Sequence, residues 1–221
     1  MNINLLFASM IGGILFASVV YTWHYPLLTT ALLIFTLLIQ LHFRPHIHDR
    51  KAMITAALLG TPAEAISVYL GEWRYHGIEL VLGLPIWIPL VWANLFALYR
   101  RFTRSLLTLL PSSLFIGMGT LIAAYCFITL TLMDKMPIVY LLYAGFLIAM
   151  AGLWHQDEDL LIFLVGALLG TLGEYVCVQL GYWSYYHPYF TRLGVDITLS
   201  LDWGLSAVII NRIAEYNKRT E

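Results

Sequence analysis

Charge is scarce in this chain. Of 221 residues only 12 are Lys or Arg and 13 are Asp or Glu, 11% together. A soluble domain averages about 25%. The net charge is −1, and no basic stripe or cluster stands apart from the ends of apolar runs. That excludes a nucleic-acid partner. Cysteine is nearly absent: Cys126 and Cys177 both lie inside apolar runs, so they read as small packing residues and not as a disulfide framework. Nucleophile elbow, phosphate loop and dinucleotide fingerprint are all missing. No cofactor is expected, and chemistry that needs one gives way to chemistry that moves protons.

Apolar sequence fills the space. Hydrophobic residues make up 60% of the chain, and the mean hydropathy is +0.78. The expected fold class is all-α, a polytopic membrane bundle. A helix needs about 20 residues to cross the bilayer core. Eight segments qualify: 4–22, 26–43, 52–71, 82–99, 111–132, 137–154, 159–181 and 196–213. Met1-Asn2-Ile3-Asn4 lacks the basic stretch of a cleaved signal peptide, so the first run reads as a span. Basic residues set the orientation. Arg44, Arg50, Lys51, Arg100, Arg101, Arg104, Arg212, Lys218 and Arg219 share one side; Arg74, Lys135 and Arg192 share the other. Both termini are therefore expected in the cytoplasm of a bacterial or archaeal cell. Asp157-Glu158-Asp159 is an acidic loop in this reading. Trp23, Tyr25, Trp73, Tyr75, Trp183, Tyr185, Tyr186 and Tyr189 form an outer aromatic belt at the headgroup level.

The chain also repeats itself. Residues 57–76 read ALLGTPAEAISVYLGEWRYH and residues 167–186 read ALLGTLGEYVCVQLGYWSYY. They agree at 11 of 20 positions at an offset of 110 residues. At offset 111 the likeness continues through Gly83/Gly194, Ile86/Ile197, Leu90/Leu201, Trp92/Trp203 and Arg101/Arg212. This pattern predicts two parallel four-helix repeats, 1–104 and 105–221, forming one membrane domain. Their symmetry axis would run along the membrane normal.

Each copy puts a carboxylic acid inside a span: Glu64 and Glu174. Each lies nine residues before a tryptophan, roughly 13 Å below the outer interface. An acid at that depth is costly and marks a candidate functional site. It is expected to be protonated or paired. The bland alternative is a neutral Glu that ties helices together. Asp202 breaks the symmetry, since Val91 is its counterpart; Asn94 does the same opposite Leu205. Three acids at one level predict a shared cavity. Asn94 reads equally well as interhelical glue. Pro62, Pro85 and Pro89 kink the first half. His46-Ile-His48-Asp49 has the wrong spacing for ligands on a helix, so a solvated loop is expected there and no metal.

Gly60-x-x-x-Glu64, then Gly71-x-Trp73-x-Tyr75, then Gly83-Leu84-Pro85-Ile86-Trp87-Ile88-Pro89-Leu90-Val91-Trp92 resembles the integral membrane carotenoid hydratases, the bisanhydrobacterioruberin-hydratase-like family. The likeness covers residues 57–92, with an echo at 167–203. The second copy has Asp196 and Ser200 where the first has prolines. The resemblance implies addition of water across a terminal isoprenoid double bond. It carries over Glu64 as the acid, with Tyr75, Pro85, Pro89 and Trp92 shaping the site.

Three readings follow. The first is a membrane enzyme performing acid-catalysed hydration, cyclisation or isomerisation of an isoprenoid or other lipid-like substrate. Glu64, Asp202 and Glu174 are its catalytic candidates. Trp73, Tyr75, Trp92, Asn94, Trp183, Tyr185 and Trp203 are its binding candidates, the indoles facing a carbocation. The second is a proton-coupled transporter gated by Glu64 and Glu174. The third is a non-catalytic subunit. Membrane lipids are expected partners in each, and homo-oligomerisation stays open.

Overall fold

The computed structural model describes residues 3–43, 47–78, 80–107, 157–186, 194–195 and 199–215. Within these the chain is mostly helical. Helix α1 spans Ile3–Thr22, α2 Pro26–His42, α3 Ile47–Tyr69, α4 Ile88–Leu107, α5 Asp157–Gln179 and α6 Leu199–Glu215. Three described helices are long and apolar enough to cross a membrane: α1, α3 from His48, and α5 from Glu158. Large apolar side chains stay exposed on these helices, among them Met10, Leu58, Ile66 and Leu168. The expected spans at 111–132 and 137–154 lie outside the described residues.

α3 and α5 end in the same way. Gly71 and Gly181 adopt φ of 77° and 74°, which favours glycine. Glu72 N–H bonds back to Ser67 C=O and Tyr182 N–H to Cys177 C=O, both at 3.0 Å. Gly71 and Gly181 bond to Val68 and Val178. This cap satisfies the last carbonyls and turns the chain into a three-residue strand. Strand β1 is Trp73–Tyr75 and β4 is Trp183–Tyr185. They pair antiparallel with Arg74 opposite Ser184, its own counterpart 110 residues on. The flanking bonds match too: His76 N–H to Tyr182 C=O at 2.7 Å and Tyr186 N–H to Glu72 C=O at 2.9 Å. Both helices therefore end at one face of the molecule.

The fourth span does not begin at residue 82 as its hydropathy suggests. Leu80–Val81 (β2) and Leu84–Pro85 (β3) form a hairpin there. Its turn residues Leu82 and Gly83 have φ of 55° and 81°, the signature of a tight primed turn. Pro89 is not a kink. It sits in the first turn of α4, where a missing N–H costs nothing. Pro62 does lie inside α3.

The inner end corrects two more expectations. His48 and Asp49 belong to the first turn of α3 and are buried, not part of a solvated loop. Asp49 pairs with Arg100 at 3.6 Å, Arg101 at 3.2 Å and Arg104 at 3.3 Å. The expected acidic loop is the first turn of α5, where negative charge suits the helix N-terminus. There Asp159 pairs with Arg212. This contact is the counterpart of Asp49–Arg101 under the repeat. Arg100 bonds to Asn211, again its own counterpart, and pairs with Glu215 at 3.0 Å. Arg100, Arg101, Arg104 and Arg212, four of the basic residues that set the orientation, are thus ion-paired at helix ends.

Candidate functional site

Glycine lets the tryptophans reach the acids. A Cβ on Gly60 would stand 2.1 Å from the Trp92 ring, and one on Gly170 2.3 Å from the Trp203 ring. With hydrogen there instead, each indole lies flat against its neighbouring helix. The two rings stack on one another between the halves, with centroids 5.0 Å apart and planes at 22°.

Glu64 accepts three hydrogen bonds. Trp73 Nε1 donates to Oε1 at 3.2 Å, and the Tyr75 hydroxyl donates to the same oxygen. Trp92 Nε1 donates to Oε2 at 3.3 Å. Glu174 repeats the arrangement. Trp183 Nε1 donates to Oε2 at 2.7 Å, Tyr185 OH donates to it at 3.0 Å, and Trp203 is a third side-chain partner. Each acid thus sits in a Trp-Tyr-Trp clamp: two rings from the strand nine and eleven residues on, one from the next helix. The strand pairing brings the clamps together. Trp73 faces Tyr185 with ring centroids 5.7 Å apart, and Tyr75 faces Trp183 at 5.6 Å. These are the non-hydrogen-bonded pairs of the ladder, whose side chains stand closest.

Both acids line one cavity of about 550 Å³. Such a volume is ordinary for a small-molecule site. Its wall is made by α1, α4 and α5, with Gly12, Gly13 and Phe16 from α1 and Leu169, Gly173 and Val176 from α5. Tyr75, Trp92, Trp183 and Trp203 also line it; almost everything else in the wall is apolar. Ile88 and Phe102 both border it, so it runs roughly 21 Å along α4. Its outer end is bordered by the rings of Tyr75, Trp87 and Trp183, and Trp23 packs behind them. Trp23 is 1% exposed, stacks on Tyr182 at 4.5 Å, meets Trp87 edge-on at 5.2 Å, and donates to His76 C=O at 2.9 Å. The expected headgroup belt is, at Trp23, Trp73, Tyr75, Trp183 and Tyr185, mostly an inward-facing lid instead. Hydrogen-bond acceptors on the acids and backbone draw those polar tips in.

The other candidates fall elsewhere. Asp202 is half-buried in the first turn of α6, near enough to Tyr185 to interact with it electrostatically, and is not among the described wall residues. Asn94 lies in the α2–α4 contact. It accepts from Thr36 at 3.0 Å and Gln40 at 2.8 Å, and it donates to Leu33 and Leu90 carbonyls. That is the glue reading. Trp73 and Tyr185 hold the acids from behind the wall. Sequence reasoning missed Trp87, Tyr99 and the α1 glycines. Tyr99 had a signal, since Ile210 stands at its repeat position. Among the described residues no group of three or more His, Cys, Asp or Glu could hold a metal. No family model, curated protein or solved structure matches the chain.

Proposed function

We propose that the chain is a multi-pass integral membrane enzyme performing acid-catalysed hydration, cyclisation or isomerisation on an isoprenoid or similar lipid-like substrate. It is built as two parallel four-helix repeats, with both termini cytoplasmic. One observation carries the reading: two clamped carboxyls face a single elongated apolar cavity. An apolar cavity that meets an acid suits a hydrocarbon chain needing a proton. A proton-coupled transporter would carry the same recurring acids, but it needs a polar path to water.

In this mechanism a neutral Glu64 gives its proton to one carbon of a double bond. The cation forms on the neighbouring carbon. The Trp92 and Trp203 indoles stabilise it through their ring faces. In hydration, a water oxygen bonds to that carbon, and the surplus proton passes to the carboxylate. In isomerisation or ring closure, a neighbouring carbon loses the proton instead. Either way the acid is restored and no electrons are exchanged. The clamps fix the carboxyls before the substrate arrives, and the aromatic lid keeps bulk water from quenching the cation. Glu174 holds the equivalent position, where it faces the cation or positions the water. The resemblance to carotenoid hydratases agrees with this chemistry.

Lipid mass spectrometry of cells with and without the protein tests the reading. A substrate–product pair differing by one water, or by isomerisation alone, is expected. Glu64→Gln keeps the shape of the clamp and removes the transferable proton. It should lower product formation by about 10²–10⁴-fold in a protein that still folds. Identical lipid profiles would sink the enzyme; full activity in Glu64→Gln and Glu174→Gln would sink the proton donors.

A further inference from the structure

Glu64 and Glu174 are met by donors and, among the described residues, by no cation. The indoles of Trp73, Trp92, Trp183 and Trp203 can only donate, and the Tyr75 and Tyr185 hydroxyls donate as well. A shell of three donors fits the acceptor-only oxygens of a carboxylate. Yet the acids that hold ion pairs among the described residues are Asp49, Asp159 and Glu215, all at the inner end. An unpaired carboxylate inside an apolar cavity is costly, so the empty site keeps its protons. The clamps are thus shaped for a charge whose counter-ion a ligand can bring.

Both carboxyls are open to the cavity. Glu64 and Glu174 line it, and each is only partly buried. They stand near enough to act on one another electrostatically. Charge on one opposes charge on the other, so a single positive charge answers the pair. Tyr75, Trp92, Trp183 and Trp203 border the same space, and aromatic rings attract organic cations. A bare metal ion would need more oxygen ligands than two carboxyls supply, and the rest of the wall is almost wholly apolar. The cation must bring its own apolar body, which the length of the cavity along α4 accommodates.

We propose that the cavity is a binding site for a lipophilic amine, with one ammonium group held by Glu64 and Glu174 and an apolar tail lying along α4. A neutral tertiary amine enters from the lipid and takes the proton of one carboxyl. An N–H bond forms as the O–H bond breaks, no electrons are exchanged, and an ammonium is left against a carboxylate. This rests on the reading that the cavity takes a lipid-like ligand, and not on which reaction follows.

Two probes of like shape test it: N,N-dimethyldodecylamine and its hydrocarbon isostere 2-methyltetradecane. The full chain in nanodiscs of zwitterionic lipid is incubated with each. Retained probe is measured by mass spectrometry against empty nanodiscs. The wild type should prefer the amine by about tenfold or more, the worth of one charge-assisted hydrogen bond. Glu64→Gln with Glu174→Gln should lose that preference and keep its hold on the hydrocarbon. Asp202→Asn, which removes an acid outside the described wall, should keep the preference. A second measurement needs no variant. Dicyclohexylcarbodiimide attacks protonated carboxyls in apolar surroundings; peptide mapping should show the amine, and not the hydrocarbon, protecting Glu64 and Glu174 of the wild type. Equal retention of both probes by the wild type overturns the inference and leaves the lipid-like reading standing. So does an unchanged preference in the double variant, its loss in Asp202→Asn, or carbodiimide labelling that the amine leaves unchanged. Retention of neither probe overturns both.

Discussion

Glu64 and Glu174 show how a residue's setting decides its use. Each is met by donors from one strand and one helix, and each needs a glycine across from the tryptophan that completes the clamp. That dependence makes the glycines the sharpest single-residue test. In Gly60→Ala the new methyl would overlap the Trp92 ring, and in Gly170→Ala the Trp203 ring. Overpacking of this kind costs about 1–3 kcal/mol and displaces the indole. Both variants should melt earlier and lose activity. Gly13→Ala has open space around its Cβ, so it should hold or slightly raise stability by the better helix propensity of alanine. If thermal melts rank Gly13→Ala as the worst of the three, the clamp geometry is wrong. The acids themselves were legible in the sequence, because depth and recurrence mark them. The turn of Trp73 and Tyr75 toward Glu64 was not. Hydropathy says that a ring sits near an interface; only the strand pairing says which way it faces. Asn94 misled as a binding candidate for a related reason. Its asymmetry is real, but the partners that explain it, Thr36 and Gln40, lie on a helix no pattern linked to it.

At the scale of elements the β1–β4 pair does the positioning. It sets Trp73 against Tyr185 and Tyr75 against Trp183, so both clamps depend on one register. A slip of one residue would turn every ring to the opposite face. The pair Arg74/Ser184 lies at the centre of the ladder and takes no part in either clamp. In a background lacking Cys126 and Cys177, Arg74→Cys with Ser184→Cys should form a disulfide on mild oxidation. The expected Cα separation in such a pair, about 5.5 Å, falls within disulfide range. Peptide mapping by mass spectrometry should find the linked peptides, and activity should survive. A bond that forms only between Arg74→Cys and a cysteine at Tyr185 or Trp183 would mean a shifted register. The helices could be read from hydropathy to within a few residues for α1, α2, α3, α5 and α6. The start of α4 could not. The hairpin before it is as apolar as a span, and a run of that kind carries no periodic signal to separate strand from helix. The ion pairs at the inner end were hidden likewise, since Asp49 and the arginines of α4 are some 50 residues apart and their meeting is a matter of packing.

At the scale of the whole molecule, the contacts constrain the path of the chain where sequence gives only hydropathy. α3 and α5 both lead into strands that pair, so both end at the outer face. Asp49 near the start of α3 pairs with Arg101 toward the end of α4, and Asp159 near the start of α5 pairs with Arg212 on α6. So α4 returns to the inner face, and α5 sets out from it. The proposed topology therefore requires the stretch 108–156 to cross the membrane an even number of times. Its sequence holds two apolar runs, 111–132 and 137–154, parted by Asp134-Lys135 and each of about the length of a span. Residues that face their own counterparts also line up along the bundle, from Arg74/Ser184 at the outer face through Trp92/Trp203 to Arg100/Asn211 within. An axis through them runs with the helices, as a pair of parallel halves requires. The proposed topology of eight spans with cytoplasmic termini is consistent with these contacts, and reporter fusions check each step. Fusions at residues 48, 103 and the C-terminus should report the cytoplasm, and those at 134 and 188 the outside. A fusion at 134 that reports the cytoplasm, with 103 and 188 as expected, would mean that 108–156 does not cross at all. The molecule would then have six spans, and the second half would lack the two helices that the first half sets beside its cavity.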